Sequence, residues 1–106
     1  MERSYESMLI LNSDLDQEQA QEVTDKITDK IKDLGGKLGQ KTIWAQQKKF
    51  NYPIRSRGAE KKRYNQGSYW LLDFNLDTQK LASLKKAIRL EENILRYLVV
   101  LKEDNK

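Results

Sequence analysis

The sequence predicts an α+β fold in which two helices cover one face of a four-stranded antiparallel sheet. Three observations carry this. Ala20, Val23, Ile27, Ile31 and Leu34, and again Leu81, Leu84 and Ile88, recur at the spacings of three and four that mark a helix buried along one side. Segments rich in β-branched and aromatic residues stand before the first stripe, twice between the stripes and once after the second. The 106 residues, 38% of them apolar, are enough for one core and one domain spanning 1–106.

In chain order, Arg3 to Leu11 partly alternates and ends in the apolar run Met8-Leu9-Ile10-Leu11, a strand covered on one face and partly on the other. The first helix is marked at both ends. Asp16 is its cap, Gln19 stands three residues on as in a capping box, Leu15 and Ala20 form a staple, and Gly35-Gly36 closes it in a left-handed turn. Lys37 to Phe50, with Thr42, Ile43 and Trp44, reads as the second strand and Tyr69 to Phe74 as the third. Tyr52-Pro53-Ile54 and Arg55 to Arg63 lie between them, too polar to be buried, and are expected to form a solvent loop joining a hairpin. Asp77 caps the second helix, with Leu76 and Leu81 as its staple, and Ile94 to Leu101 is the last strand, with 101–106 expected to fray. Strand, helix, strand, strand, helix, strand is two split βαβ units, the ferredoxin-like arrangement, which leaves one sheet face open. That fold hosts RNA binders, small enzymes and ligand sensors alike.

Composition narrows the choice. The chain has no cysteine and no histidine, which removes thiol nucleophiles, disulfides, zinc fingers and histidine-dependent triads. No Gly-rich phosphate loop, metal-ligand cluster or nucleophile–base pair is evident, so no cofactor or metal is expected, and Glu91 and Glu92 read as a solvated pair. No apolar run approaches the ~20 residues of a membrane span and the N-terminus lacks a secretory leader, so cytosol or an organelle matrix is expected.

The charge is unevenly placed. Lys48, Lys49, Arg55, Arg57, Lys61, Lys62 and Arg63 stand against Glu60 alone, giving +6 within a chain of net +4, so the rest sums to −2. Such a segment beside Phe50, Tyr52 and Tyr64 suits a phosphate backbone, and it equally suits a solvated hairpin tip. Trp44, Trp70, Tyr69 and Phe74 read first as packing residues. Gln66 to Asp73 keeps the glycine of an RNA-recognition motif but not its alternating aromatics, so RNA contact is expected from loops and strand ends against folded, largely helical RNA. Arg96, inside the last strand, faces RNA, a protein partner or solvent, and Arg89 also suits the dipole at the end of the second helix.

Three stretches resemble one family. The opening Arg3-Ser4-Tyr5-Glu6 with Asn12 and Leu15-Asp16 behind it, the run Lys48-Lys49-Phe50-Asn51-Tyr52-Pro53-Ile54, and the close Asn93-Ile94-Leu95-Arg96-Tyr97-Leu98-Val99 are similar to the bacterial-type small-subunit ribosomal protein family numbered six, over essentially the whole chain. Gln46 in place of Gly, Asn51 in place of Ala and a longer, more basic loop from Arg55 to Gln66 depart from that pattern. The resemblance implies the ferredoxin-like fold, binding to the central domain of small-subunit ribosomal RNA, and pairing with the small-subunit protein numbered eighteen. It implies a role in assembly and no membrane or small-molecule substrate. Lys48, Lys49, Arg55 and Arg57 are then the expected phosphate contacts, delivered by a rigid Tyr52-Pro53 bend. Tyr5, Tyr52, Arg89 and Arg96 are further candidates for RNA or partner contact, and Arg3 joins them by motif position. The open sheet face or its edge is the natural seat for the protein partner. Two rivals share the fold. One is an acyl-phosphate hydrolase, with Arg55 or Arg57 cradling phosphate and Asn51 placing water; the other is a ligand-sensing domain.

Overall fold

Residue parity along the central strand sets the two faces of the molecule. In the computed structural model, which describes residues 1–56 and 62–102 and leaves aside the side chains of Ala45 and Gln47, the first strand β1 runs Glu2–Asn12. It is followed by α1 (Gln17–Asp33), β2 (Lys37–Arg55), β3 (Arg63–Asp77), a 3-10 turn (Thr78–Lys80), α2 (Leu81–Leu90) and β4 (Ile94–Leu101). The strands form one antiparallel sheet in the order β2-β3-β1-β4, the ferredoxin-like arrangement expected from the sequence. Tyr5, Ser7 and Leu9 of β1 stand opposite Phe74, Leu72 and Trp70 of β3, and all six are buried on the helix side. Leu11, Leu76 and Ile94 complete that layer; Val23, Ile27 and Ile31 of α1 and Leu84 and Ile88 of α2 close over it. Burying these side chains is worth about 1.5–3 kcal/mol each before the entropy of ordering the chain is charged against it.

The opposite parity, Met8 and Ile10 of β1, Tyr69 and Leu71 of β3, and Arg96, Leu98 and Val100 of β4, forms the open face. Leu98 and Val100 are exposed there. No helix among the described residues is long and apolar enough to cross a membrane.

The helix ends follow the sequence closely. Asp16 Oδ1 accepts from the Gln19 N–H at 2.7 Å, and Gln19 Oε1 accepts from the Asp16 N–H at 3.0 Å, so the capping box is complete. At the other end Gly35 has φ +86°, and the Gly35 and Gly36 N–H groups donate to Lys32 O and Ile31 O, each at 2.9 Å. These two bonds satisfy carbonyls that the last turn would leave orphaned, and only glycine takes that φ without a Cβ clash. Asp77 does act as a cap, but of the 3-10 turn, accepting from the Gln79 N–H at 2.9 Å; α2 begins after it. The asparagines of the two outer motif stretches meet: Asn12 Nδ2 donates to Asn93 Oδ1 at 3.1 Å, and the Asn12 N–H to Asn93 O at 3.1 Å.

Two expectations are corrected. Tyr52-Pro53-Ile54 lies within β2, and β3 starts at Arg63 rather than Tyr69, so the hairpin arms extend well into the stretch read as loop. The charge of these arms is compatible with a strand because β2 is an outer strand, where proline and cations are tolerated. The chain end is also better held than expected. Leu101 closes β4, the Lys102 N–H donates to Ser4 O at 2.9 Å, and Lys102 Nζ lies 3.7 Å from Asp73 Oδ2. Residues 103–106 of the expected frayed end lie outside the described residues.

Candidate nucleic-acid interface

The site is made by a defect in the β2–β3 ladder. Lys49 stands opposite Gln66 and Ile54 opposite Tyr64, so five steps along β2 answer to two along β3. The surplus residues leave the ladder as an excursion through Phe50, Asn51, Tyr52 and Pro53. Proline costs nothing there because no partner needs its missing N–H. Earlier single-residue irregularities, between Leu38 and Lys41, Ile43 and Ala45, and Ala45 and Lys48, twist the strand toward this point.

The excursion bounds a groove of about 500 Å³ with Lys48, Lys49, Tyr69 and Arg96. Register explains why a residue of β4 reaches a site built by β2. Arg96 stands opposite Ile10, and Ile10 opposite Tyr69, so the three lie in one row across the open face, with Arg96 and Tyr69 roughly 10 Å apart at the usual strand spacing. Ile10, between them in the row, is buried. Gly67 lies beneath the other end. It stands opposite Asn12 on one side and Lys48 on the other, and a Cβ built on it would collide with Leu11 O and lie 2.9 Å from Phe50 Cζ. Only a residue without a side chain lets Phe50 and β1 close this tightly.

The groove combines aromatic surface with unneutralised cations. Trp44 is 56% exposed, meets Tyr69 edge to face at 5.4 Å, and Phe50 meets the same tyrosine at 6.2 Å. Lys48 Nζ lies 5.4 Å from the Trp44 ring centre and 5.9 Å from that of Tyr69. Among the described residues neither Lys48, Lys49 nor Arg96 has a carboxylate within ion-pair distance, and no acid lines the groove. Arg96 spends one N–H on Leu95 O at 3.0 Å, and its guanidinium carries further donors.

The hairpin's far end differs in kind. Lys62 Nζ lies 2.6 Å from Asp14 Oδ2, and the Tyr64 hydroxyl donates to the same oxygen at 2.9 Å. These hydrogen bonds, Lys62's first, hold the Asp14 carboxyl below its ordinary range. The clasp ties the basic arm to the acidic entry of α1.

The expected site residues therefore separate. Lys48, Lys49, Tyr52 and Arg96 converge on the groove, with Tyr52 80% exposed. Arg55 is exposed on β2 opposite Arg63, past the excursion and outside the groove. Arg57, with the rest of 57–61, lies outside the described residues. Arg3 is exposed at the other end of β1, roughly 30 Å from the Asn12–Gly67–Lys48 row by strand rise. Arg89 sits exposed in the last turn of α2, on the helix side. Tyr5 is a correction: it is 5% exposed and stacked on Phe74 at 5.6 Å, so its ring belongs to the core and presents no contact surface. Trp44 and Tyr69, read from the sequence as packing residues, pack edge to face on each other on the open face, and Tyr69 also lines the groove. Packing does account for Trp70 and Phe74, each 2% exposed, but the bulges re-phase β2 and turn Trp44 outward against Tyr69.

Comparison with known proteins agrees with this architecture. The family model for Ribosomal protein S6 matches residues 4–101. The small ribosomal subunit protein bS6 of Natranaerobius thermophilus is 31% identical over 102 residues, covering 96% of this chain and 98% of that one. The bS6 of Caldanaerobacter subterraneus is 28% identical over 102 residues, covering 96% and 99%. The crystal structure of 30S ribosomal protein S6 from Thermotoga maritima superimposes with a TM-score of 0.81 at 26% identity, covering 96% of this chain and 89% of that one. The chemotaxis kinase CheA P2 domain, with a TM-score of 0.58 at 14% identity, is alike in fold alone. A match running through every element from β1 to β4 leaves one conclusion: the chain belongs to the ribosomal protein S6 family of the small ribosomal subunit.

Proposed function

We propose that this small-subunit protein binds the central domain of small-subunit ribosomal RNA cooperatively with the small-subunit protein numbered eighteen, and so assists assembly. The observation that carries the reading is the groove in which Lys48, Lys49 and Arg96 converge with no acid beside them. Cations left without partners are what a phosphate backbone recruits, because each contact releases condensed counterions. Arg55, exposed on the same hairpin arm, extends the cationic path. The apolar open face carrying Leu98 and Val100 supports a seat for the protein partner beside the RNA path. The family is structural and non-enzymatic, and as a ribosomal protein it works in the cytoplasm on the ribosome. Of the pair named for the hydrolase rival, Asn51 lines the groove and Arg55 does not, and the alternative Arg57 lies outside the described residues.

The test is binding to a central-domain RNA fragment, with and without the eighteenth protein, across a salt series. Tight binding is expected only with both present. Replacing Lys48, Lys49 and Arg96 together by Gln lowers the slope of log K against log salt by roughly 2 to 3, at about 0.9 per phosphate contact. An unchanged slope, or indifference to the RNA with the partner present, refutes the reading.

A further inference from the structure

We propose that the open sheet face is complementary to itself, and that the free chain pairs through it with a second copy about a two-fold axis running across the strands. The pairing itself does not rest on the RNA reading above.

Strand register sorts the face into rows. Val100, Glu6 and Asp73 stand side by side on β4, β1 and β3; two residues along β1 come Leu98, Met8 and Leu71, and two further again Arg96, Ile10 and Tyr69. The face thus runs from an acidic row through an apolar one to a row ended by Arg96, with Lys48 Nζ 5.9 Å from the Tyr69 ring centre. At the usual strand rise the two outer rows lie roughly 14 Å apart. Leu98 is 54% exposed and Val100 40%, so the apolar middle is open to a neighbour. Each charged end lacks its complement. Glu6 and Asp73 face each other directly across neighbouring strands, where like charges destabilise. Among the described residues Glu6 has no cation within ion-pair distance and Asp73 has only Lys102, 3.7 Å from its Oδ2, while Arg96 and Lys48 at the far end have no acid.

Charge and symmetry then select the occupant. Packed sheets keep their strands within about 30° of one another, so the two-fold axis of a face-to-face pair runs either along the strands or across them. An axis along the strands sets Glu6 and Asp73 against the same two acids of the other copy. An axis across the strands, through the Met8 row, lays the acidic row of each copy over the Arg96 row of the other, and the favourable contact is made twice. Met8 and Leu98 then meet their own counterparts at the centre. RNA is the less suitable occupant of the Glu6 half, because its phosphates are repelled there and gain nothing from Leu98 and Val100. A contact led by charge in this way is transient and salt-sensitive. One consequence does rest on the RNA reading: Arg96 cannot hold Glu6 of another copy and a phosphate at once, so RNA and a second copy compete for it.

The experiment uses the full chain. Sedimentation velocity at low salt is expected to show concentration-dependent pairing that raised salt dissolves. Glu6→Lys alone and Arg96→Glu alone each weaken pairing by roughly tenfold or more, because each sets like charges together. Mixed one to one, the two variants pair with each other, since every charged contact between them then joins opposite signs. A second readout exploits the absence of cysteine from the chain. Met8→Cys is treated with a short bis-maleimide chosen to span packed sheets, ~10 Å apart, and no more. Because β1 is a central strand, pairing edge to edge along β4 instead holds two such thiols roughly 14 Å apart and leaves them unjoined. Ala82→Cys, exposed on α2, gives the background rate. A native chain that stays monomeric at low salt, variants that pair no better mixed than apart, or Met8→Cys joined no faster than Ala82→Cys overturns the proposal. Assembly on the central-domain RNA with the eighteenth protein is scored separately: assembly without pairing sinks this inference alone, and pairing without assembly sinks the broader reading alone.

Discussion

Replacing Gly67 by Ala tests whether the floor of the groove is as tight as the geometry says. The added methyl meets the Leu11 carbonyl of the neighbouring strand and lies 2.9 Å from Phe50 Cζ. Phe50 has a side chain that can move, but Leu11 O is backbone within the central strand, opposite Ser68 and Ile94, and cannot yield without disturbing two ladders. Forcing one methylene-sized group into such a site costs typically 1–3 kcal/mol, which lowers Tm by about 5 to 20 °C for a domain of this size. Thermal and urea denaturation followed by circular dichroism measure it, with the midpoint shifting and the urea m-value preserved. The same variant displaces Phe50 and so weakens RNA binding beyond what its lower stability accounts for at a temperature where it is fully folded. A Tm within about 2 °C of the native chain refutes the reasoning, because it means the β1–β3 spacing at Gly67 has slack that the structure denies.

Three further outcomes are expected. Asp16→Ala removes the carboxylate that accepts from the Gln19 N–H, one half of the capping box, and costs about 1 kcal/mol, seen as a lower urea midpoint and fraying of α1 by amide hydrogen exchange. Leu84→Ala leaves a cavity under α2 where the native side chain is fully buried, costing about 2–5 kcal/mol in the same denaturation assay. Asp14 has a folded pKa held below the ordinary 3.8 by Lys62 and Tyr64, so its contribution to stability is complete above the unfolded value and is lost as pH falls through the folded one. Asp14→Asn should accordingly flatten the acid limb of the stability curve below about pH 4, and Lys62→Met should raise the Asp14 titration midpoint measured by NMR.

How much of this was legible in the sequence depended on whether the signal was local. Asp16, Gln19 and the Gly35-Gly36 pair act within a few residues of themselves, and the structure realises each as read. The helical stripes and the strands β1, β3 and β4 likewise show in their patterns, because each buries residues of its own, whereas β2 has no buried side chain among its described residues and its full extent does not show. The site is different, since it comes from register between strands. Nothing in Tyr52-Pro53-Ile54 tells a loop from an outer strand with a ladder defect; the distinction appears only when Gln66 and Tyr64 are seen to answer Lys49 and Ile54. Trp44 and Trp70 look alike in sequence, and they part company because insertions in β2 shift one of them to the open face. Tyr5 shows the reverse: its motif position suggested a contact, whereas the alternation of β1 with Ser7, Leu9 and Leu11 points its ring inward. The meeting of Arg96 with Lys48 spans four strands and has no local signature at all.

The irregularity of β2 also decides what the chain does while it is free of any partner. A four-stranded sheet has two outer edges, and if both were regular, each molecule could pair at both sides and grow without end. Here one edge carries repeated ladder defects and a proline, so no incoming strand finds a run of matching donors and acceptors along it. The other edge, β4, pairs with β1 in unbroken register from Arg96 to Leu101 and presents its outer side intact. Pairing of two such molecules at β4 would use the regular edge of each and leave only the defect-bearing β2 edges free. The ladder defect that shapes the groove thereby denies a sheet of this kind growth at both edges.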